Sequence, residues 1–158
     1  MFNRFLLVGA LALGISHSAV ANDFADAKEI GRFGNWKVVR KVDPFDDRVS
    51  CVGLYGSDYT YQLSHDALYV ASKLYETGIQ MKFDSKPTEQ MRISTDMEDK
   101  IDAIIIEGSD FDKVLASNLL RIQIYSSMYG KKNIRVDLAG TQKAAKAIAE
   151  CEKANGNV

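Results

Sequence analysis

Residues 36–63 read WKVVRKV-DPFDDR-VSCVGLY-GSD-YTYQL. Trp36, Val38 and Val42 fall on one face of an extended segment, and Lys37, Val39 and Lys41 fall on the other. Asp43-Pro44-Phe45-Asp46-Asp47 is turn chemistry. Val49–Tyr55 alternates again around Cys51, and Gly56-Ser57-Asp58 turns the chain into Tyr59–Leu63. Three short alternating runs with turn residues between them set the period of the fold at two.

The same punctuation continues downstream. Ser64-His65-Asp66 leads into Ala67–Tyr75, and Thr77-Gly78 precedes Ile79–Phe83. Ser85-Lys86-Pro87 breaks that run. Gln90–Ser94 is a weaker strand, followed by a polar stretch over 95–100 and the β-branched segment Ile101–Ile106. Leu120–Tyr125 and Asn133–Leu138 form a hairpin pattern around Tyr129-Gly130-Lys131-Lys132. Residues 22–33 are a lead-in with one loose helical turn around Ala25–Ile30. Ser109 with Asp112 resembles a capping box, and Phe111, Val114, Leu115 and Asn118-Leu119 follow at helical spacing. Thr141 is positioned to cap a last, Ala-rich helix whose buried stripe is Ala144, Ala145, Ile148 and Cys151. The prediction is a mainly β protein. It is an antiparallel β-sandwich with one short internal helix and a C-terminal helix.

The chain has 158 residues, enough for one domain. Hydrophobic residues make up 46% and charged residues 26%, which excludes disordered and low-complexity classes. Lys and Arg number 20 against 21 Asp and Glu, so no electrostatic footprint for nucleic acid is expected. Arg4, the apolar run Phe5–Ile15 and Ala19-Val20-Ala21 have the order of a secretory signal peptide. The run is shorter than the ~20 apolar residues a bilayer span needs. The domain boundaries are therefore 1–21, signal peptide, and 22–158, one β-sandwich domain. The expected location is the periplasm or the cell exterior, with no membrane span after signal removal.

Export decides how Cys51 and Cys151 are read. In an oxidising compartment an even pair is most simply a disulfide. It closes a loop of about 100 residues, worth about 4–5 kcal/mol in the chain-entropy model.

No catalytic set stands out. His65 is the one imidazole after signal removal, and it reads as a turn residue because Asp66, its neighbour, points away. Asp43, Asp46 and Asp47 lack EF-hand spacing and read as a solvated turn. Asp96, Glu98, Asp99 and Asp102 read the same way, with a glycan-cleaving carboxylate pair as the enzyme alternative. Neither a G-x-S-x-G nucleophile motif nor a phosphate loop is present. No catalytic residue, metal or cofactor is assigned. Tyr55, Tyr59, Tyr61, Tyr69 and Tyr75 lie close together in sequence and are the candidate binding surface. Tyrosine buries area at low entropic cost and keeps a polar tip. Tyr59 and Tyr61 are expected to share a face, with Tyr69 and Tyr75 on the neighbouring strand. Ordinary sheet packing is the competing explanation.

Several features resemble the invasion-associated locus B family of exported bacterial proteins. They are Gly34-Asn35-Trp36 after the signal peptide and Cys51 in a following strand. Then come Leu119–Ile124, and Asp137-Leu138-Ala139-Gly140 before an Ala-rich helix ending at Cys151. Ala139 stands where the family usually has Ser. The resemblance implies a β-sandwich with its C-terminal helix tethered by a disulfide, exported in Gram-negative bacteria. It implies envelope or secreted proteins linked to host-cell invasion, without enzymatic activity, and it carries over no binding residue.

The functional expectation is a non-catalytic exported binding protein whose partner is an envelope or host protein or a glycan. The alternative is a periplasmic inhibitor or immunity protein that blocks a cell-wall hydrolase or toxin. Its plugging loops would be Ser57-Asp58-Tyr59 and Tyr129–Lys132.

Overall fold

The computed structural model describes residues 24, 26–56, 59–72, 77–126, 128 and 130–156. The predicted signal peptide, Ser57, Asp58, Tyr75 and Tyr129 lie outside these residues. Strands β1 (Lys28–Phe33), β2 (Trp36–Val42), β3 (Val49–Tyr55), β4 (Tyr61–Leu63) and β5 (Ala67–Ala71) follow one another as a meander. Strands β6 (Gly78–Phe83) and β7 (Arg92–Ile93), helix α1 (Asp96–Ile101), strand β8 (Ala103–Glu107) and helix α2 (Gly108–Leu115) come next. Strands β9 (Leu119–Ser126) and β10 (Gly130–Asp137) and helix α3 (Thr141–Ala154) complete the order.

The strands form two antiparallel sheets. One has the order β1-β2-β3-β4-β5-β8, and the other has the order β10-β9-β6-β7. Alternation explains the packing. Ile79, Met81 and Phe83 on β6 and Leu120, Ile122 and Ile124 on β9 point inward. They join Leu68, Val70, Ile104 and Ile106 of the larger sheet and the α3 stripe in one continuous core. The predicted mainly β, two-sheet architecture is therefore the observed one.

Helix α3 lies across β1–β4. Ala144, Ala145 and Ile148 form its buried stripe. Gly53 of β3 lies beneath it, where a Cβ would sit 3.1 Å from Leu63 Cβ and 3.4 Å from Ile148 Cδ1. Cys51 of β3 is bonded to Cys151 of α3, with their Cα atoms 6.2 Å apart. The same end of the helix is held by Arg40 Nη2, which donates to Asn155 Oδ1 at 3.1 Å.

The N-terminal end of α3 meets the β1–β2 hairpin. Gly34 (φ +59°) turns that hairpin, and Gly140 (φ +86°) turns the chain into α3. A Cβ on Gly34 would lie 2.2 Å from Ala139 O, and one on Gly140 would lie 2.2 Å from Phe33 O. Both positions therefore require glycine for backbone conformation and for space.

Four local expectations change. Residues 28–30 belong to strand β1 rather than a helical turn, because pairing with β2 recruits them across a bulge between Glu29 and Gly31. The polar stretch after Ser94 is helix α1, so two internal helices are present where one was expected. Thr95 accepts from the Glu98 backbone N–H, and the Glu98 carboxylate reaches back to the Thr95 N–H. That is a full capping box. Helix α2 begins at Gly108 with Glu107 in the cap position, one residue before Ser109 can cap it. Thr141 is the first helical residue rather than the cap. Its hydroxyl accepts from Trp36 Nε1 at 2.8 Å and donates to Leu138 O at 2.7 Å.

Candidate functional site

The tyrosines divide between packing and surface. Tyr55 and Tyr61 are register partners on β3 and β4, with ring centroids 5.0 Å apart. Tyr55 also meets Trp36 edge-on at 5.5 Å, and both tyrosines pack against the core. Burial, and the neighbouring Tyr55, push the Tyr61 phenol above its usual value. Tyr59 precedes β4 in the left-handed region (φ +53°), so it does not continue the Tyr61 face. Tyr69 pairs with Gln62, the residue after Tyr61, which puts it on the opposite face of the larger sheet. Burial, then Asp66 and Glu107, push its phenol up. The structure thus brings Tyr55 and Tyr61 together and separates Tyr69 from them.

The carboxylates flagged in the sequence have structural occupations. Asp43 Oδ1 accepts from the Phe45 N–H at 2.8 Å, and Asp46 Oδ1 accepts from the Arg48 N–H at 3.1 Å. Glu98 is 1% exposed and takes both Arg92 guanidinium nitrogens at 2.7 Å and the Ile105 N–H at 2.8 Å. Burial alone would raise its pKa. The hydrogen bonds from Arg92, Thr95 and Ile105 outweigh that and hold it below the usual carboxylate range. Asp96 and Asp99 share the helix α1 first turn, and Asp102 ends it in the left-handed region. His65 Nδ1 lies 2.7 Å from Glu152 Oε2, while Nε2 is 3.9 Å from Asp66. The β4–β5 turn is thereby joined to α3, a contact that neighbouring sequence could not show.

The outer face of the four-stranded sheet holds a constellation that sequence reasoning missed. Alternation sends Arg121, Gln123 and Tyr125 of β9 outward, opposite the buried Leu120, Ile122 and Ile124. Pairing with β6 and β10 then aligns three rows. Lys82, Arg121 and Arg135 form the first, and Gln80, Gln123 and Asn133 the second. Gly78, Tyr125 and Lys131 form the third. Neighbours within a row are about 4.8 Å apart, and successive rows about 7 Å.

The rows differ in chemistry. No ion-pair partner of Lys82, Arg121 or Arg135 occurs among the described residues. Gln123 Nε2 donates to Asn133 Oδ1 at 2.7 Å, and Gln80 Nε2 donates to Glu89 O at 3.2 Å. The Tyr125 hydroxyl donates to Gln123 Oε1, and Lys131 Nζ lies 5.6 Å from the Tyr125 ring centroid. Gly78 leaves room for Met91, whose sulfur would be 3.1 Å from a Cβ there. A cleft of about 310 Å³ lies over the first two rows. The one available sequence signal was the polar half of the R-I-Q-I-Y alternation, and the pairing that assembles the rows is not local.

No protein-family model matches this sequence, and no curated protein shows significant similarity to it. Among solved structures, invasion associated protein B from Bartonella henselae is similar in fold, with a TM-score of 0.50 at 10% identity. The match covers 78% of this chain and 97% of that one. No helix among the described residues is long and apolar enough to cross a membrane. The Cys51–Cys151 disulfide fits an exported protein, and the chain shares its fold, at this distance, with an invasion-associated protein.

Proposed function

We propose that the protein is a non-catalytic exported binding protein, acting in the periplasm or outside the cell through the outer face of its four-stranded sheet. One observation carries this reading. Lys82, Arg121 and Arg135 stand side by side without ion-pair partners among the described residues, next to a row of amides. Like charges directly opposite one another destabilise a sheet. A fold that keeps two such pairs in one row keeps them for contact with something outside itself. Of the carboxylates weighed for an enzyme, Glu98 is engaged by Arg92 and by the α1 cap, which supports a structural role for it.

The test uses oxidised residues 22–158 immobilised and exposed to envelope extract and culture medium. A component retained by the parent protein and lost with Arg121→Glu/Arg135→Glu is the expected result. Retention unchanged by the double charge reversal would remove this face from the function. Turnover of any retained component by the protein would overturn the non-catalytic reading.

A further inference from the structure

We infer that the outer face of the four-stranded sheet is a site for a carboxylate-bearing saccharide, a short uronate-type chain. This rests on the binding reading above and names the ligand class. Three features select it together.

The first is how charge is presented. Strand β9 is hydrogen-bonded on both sides, so its backbone N–H groups are used by the ladders. Recognition of an anion over β9 therefore falls to side chains. Two guanidiniums flanked by an ammonium present planar forks that match an oxyanion bidentately, and the oxyanion a sugar ring carries as part of its own carbon skeleton is the uronate carboxylate.

The second is the amide row. Side-chain amides donate and accept at once, which suits the hydroxyls of a sugar. Gln80 Oε1 and Asn133 Nδ2 have no protein partner among the described residues, so this capacity is available.

The third is the apolar end. Tyr125 offers a ring and Met91 lies beside it over Gly78. A pyranose has an apolar C–H face that packs on such a surface. The cation row and the tyrosine row are about 14 Å apart by strand rise, which asks for an oligosaccharide rather than a single sugar. The carboxylate of one end residue lies over Arg121, and the remaining rings run toward Tyr125 and Lys131.

The experiment titrates the oxidised protein with tri-galacturonate, its methyl ester and tri-glutamate, following backbone amide shifts by NMR and affinity by calorimetry. Tri-galacturonate is expected to bind, with shifts confined to β6, β9 and β10. The uncharged ester should bind at least about tenfold more weakly, as the loss of a charge-assisted hydrogen bond dictates. Arg121→Thr should weaken tri-galacturonate by at least about tenfold while melting no lower than the parent, because it relieves like-charge repulsion. Equal binding of acid and ester would overturn the carboxylate assignment. Equal or tighter binding of tri-glutamate would overturn the saccharide assignment. Failure of tri-galacturonate, together with face-dependent capture of another component, would overturn this inference and leave the binding reading standing. Failure of both would overturn both.

Discussion

Trp36 and Thr141 are 105 residues apart in sequence and share one buried hydrogen bond. The Thr141 hydroxyl satisfies an indole N–H that has no access to water. Thr141→Val keeps the shape and removes the acceptor. We expect a loss of about 1–3 kcal/mol, read from the urea midpoint, because a buried donor is left unpaired. Thr141→Ser keeps the oxygen and should lose less. Equal midpoints for parent and Thr141→Val would show that the bond contributes nothing. The sequence marked Thr141 as a helix start and missed this use of it. A cap is a local pattern, whereas Gly140 takes the cap position here because its backbone lies against Phe33 O. The tyrosines carried a similar ambiguity. Tyr55 and Tyr61 suit a binding face and a core equally well by composition, and only the register of β3 on β4 shows Tyr61 against Tyr55, which in turn meets Trp36 edge-on.

At the scale of elements, α1 is held by the Arg92–Glu98 pair. Arg92→Met leaves a buried carboxylate without its partner, for which about 3 kcal/mol of destabilisation is expected at neutral pH. The sign with pH follows from the two environments. In the parent, the folded Glu98 carboxyl sits below its unfolded value. Its contribution is present above the unfolded value of about 4.3 and lost as pH falls through the folded one. In the variant, burial acts without the guanidinium and raises the folded value. The deficit of the variant should therefore shrink as the medium is acidified, which urea unfolding at a series of pH values would check. A deficit that is constant with pH would rule out this electrostatic account. The Thr95–Glu98 capping box was written in the sequence, but six residues are too few to show a helical period. Strand β1 was not legible at all. Its residues alternate poorly, and pairing with β2 makes them a strand.

For the whole molecule, the disulfide was legible from the even cysteine count and the expectation of export, and the two-sheet architecture from strand spacing. The three-row face was not. Its residues come from β6, β9 and β10, and no local pattern says which strands will be neighbours. The Cys51–Cys151 bond should carry about 4–5 kcal/mol by the chain-entropy model. Cys51→Ala/Cys151→Ala, or reduction of the parent, should lower the stability measured in urea by that order. An unchanged midpoint under full reduction would show that packing alone holds α3.

The long-range contacts of α3 also fix an order of events. Trp36, Arg40 and Cys51 emerge early from the ribosome, and their partners Thr141, Asn155 and Cys151 emerge near the end. Non-local closure is slow because loop entropy must be overcome before any contact rewards it. The first hairpin therefore stays without its lid until the last helix has been synthesised. Until that moment the β1–β2 hairpin and Cys51 lack the partners that only the end of the chain supplies.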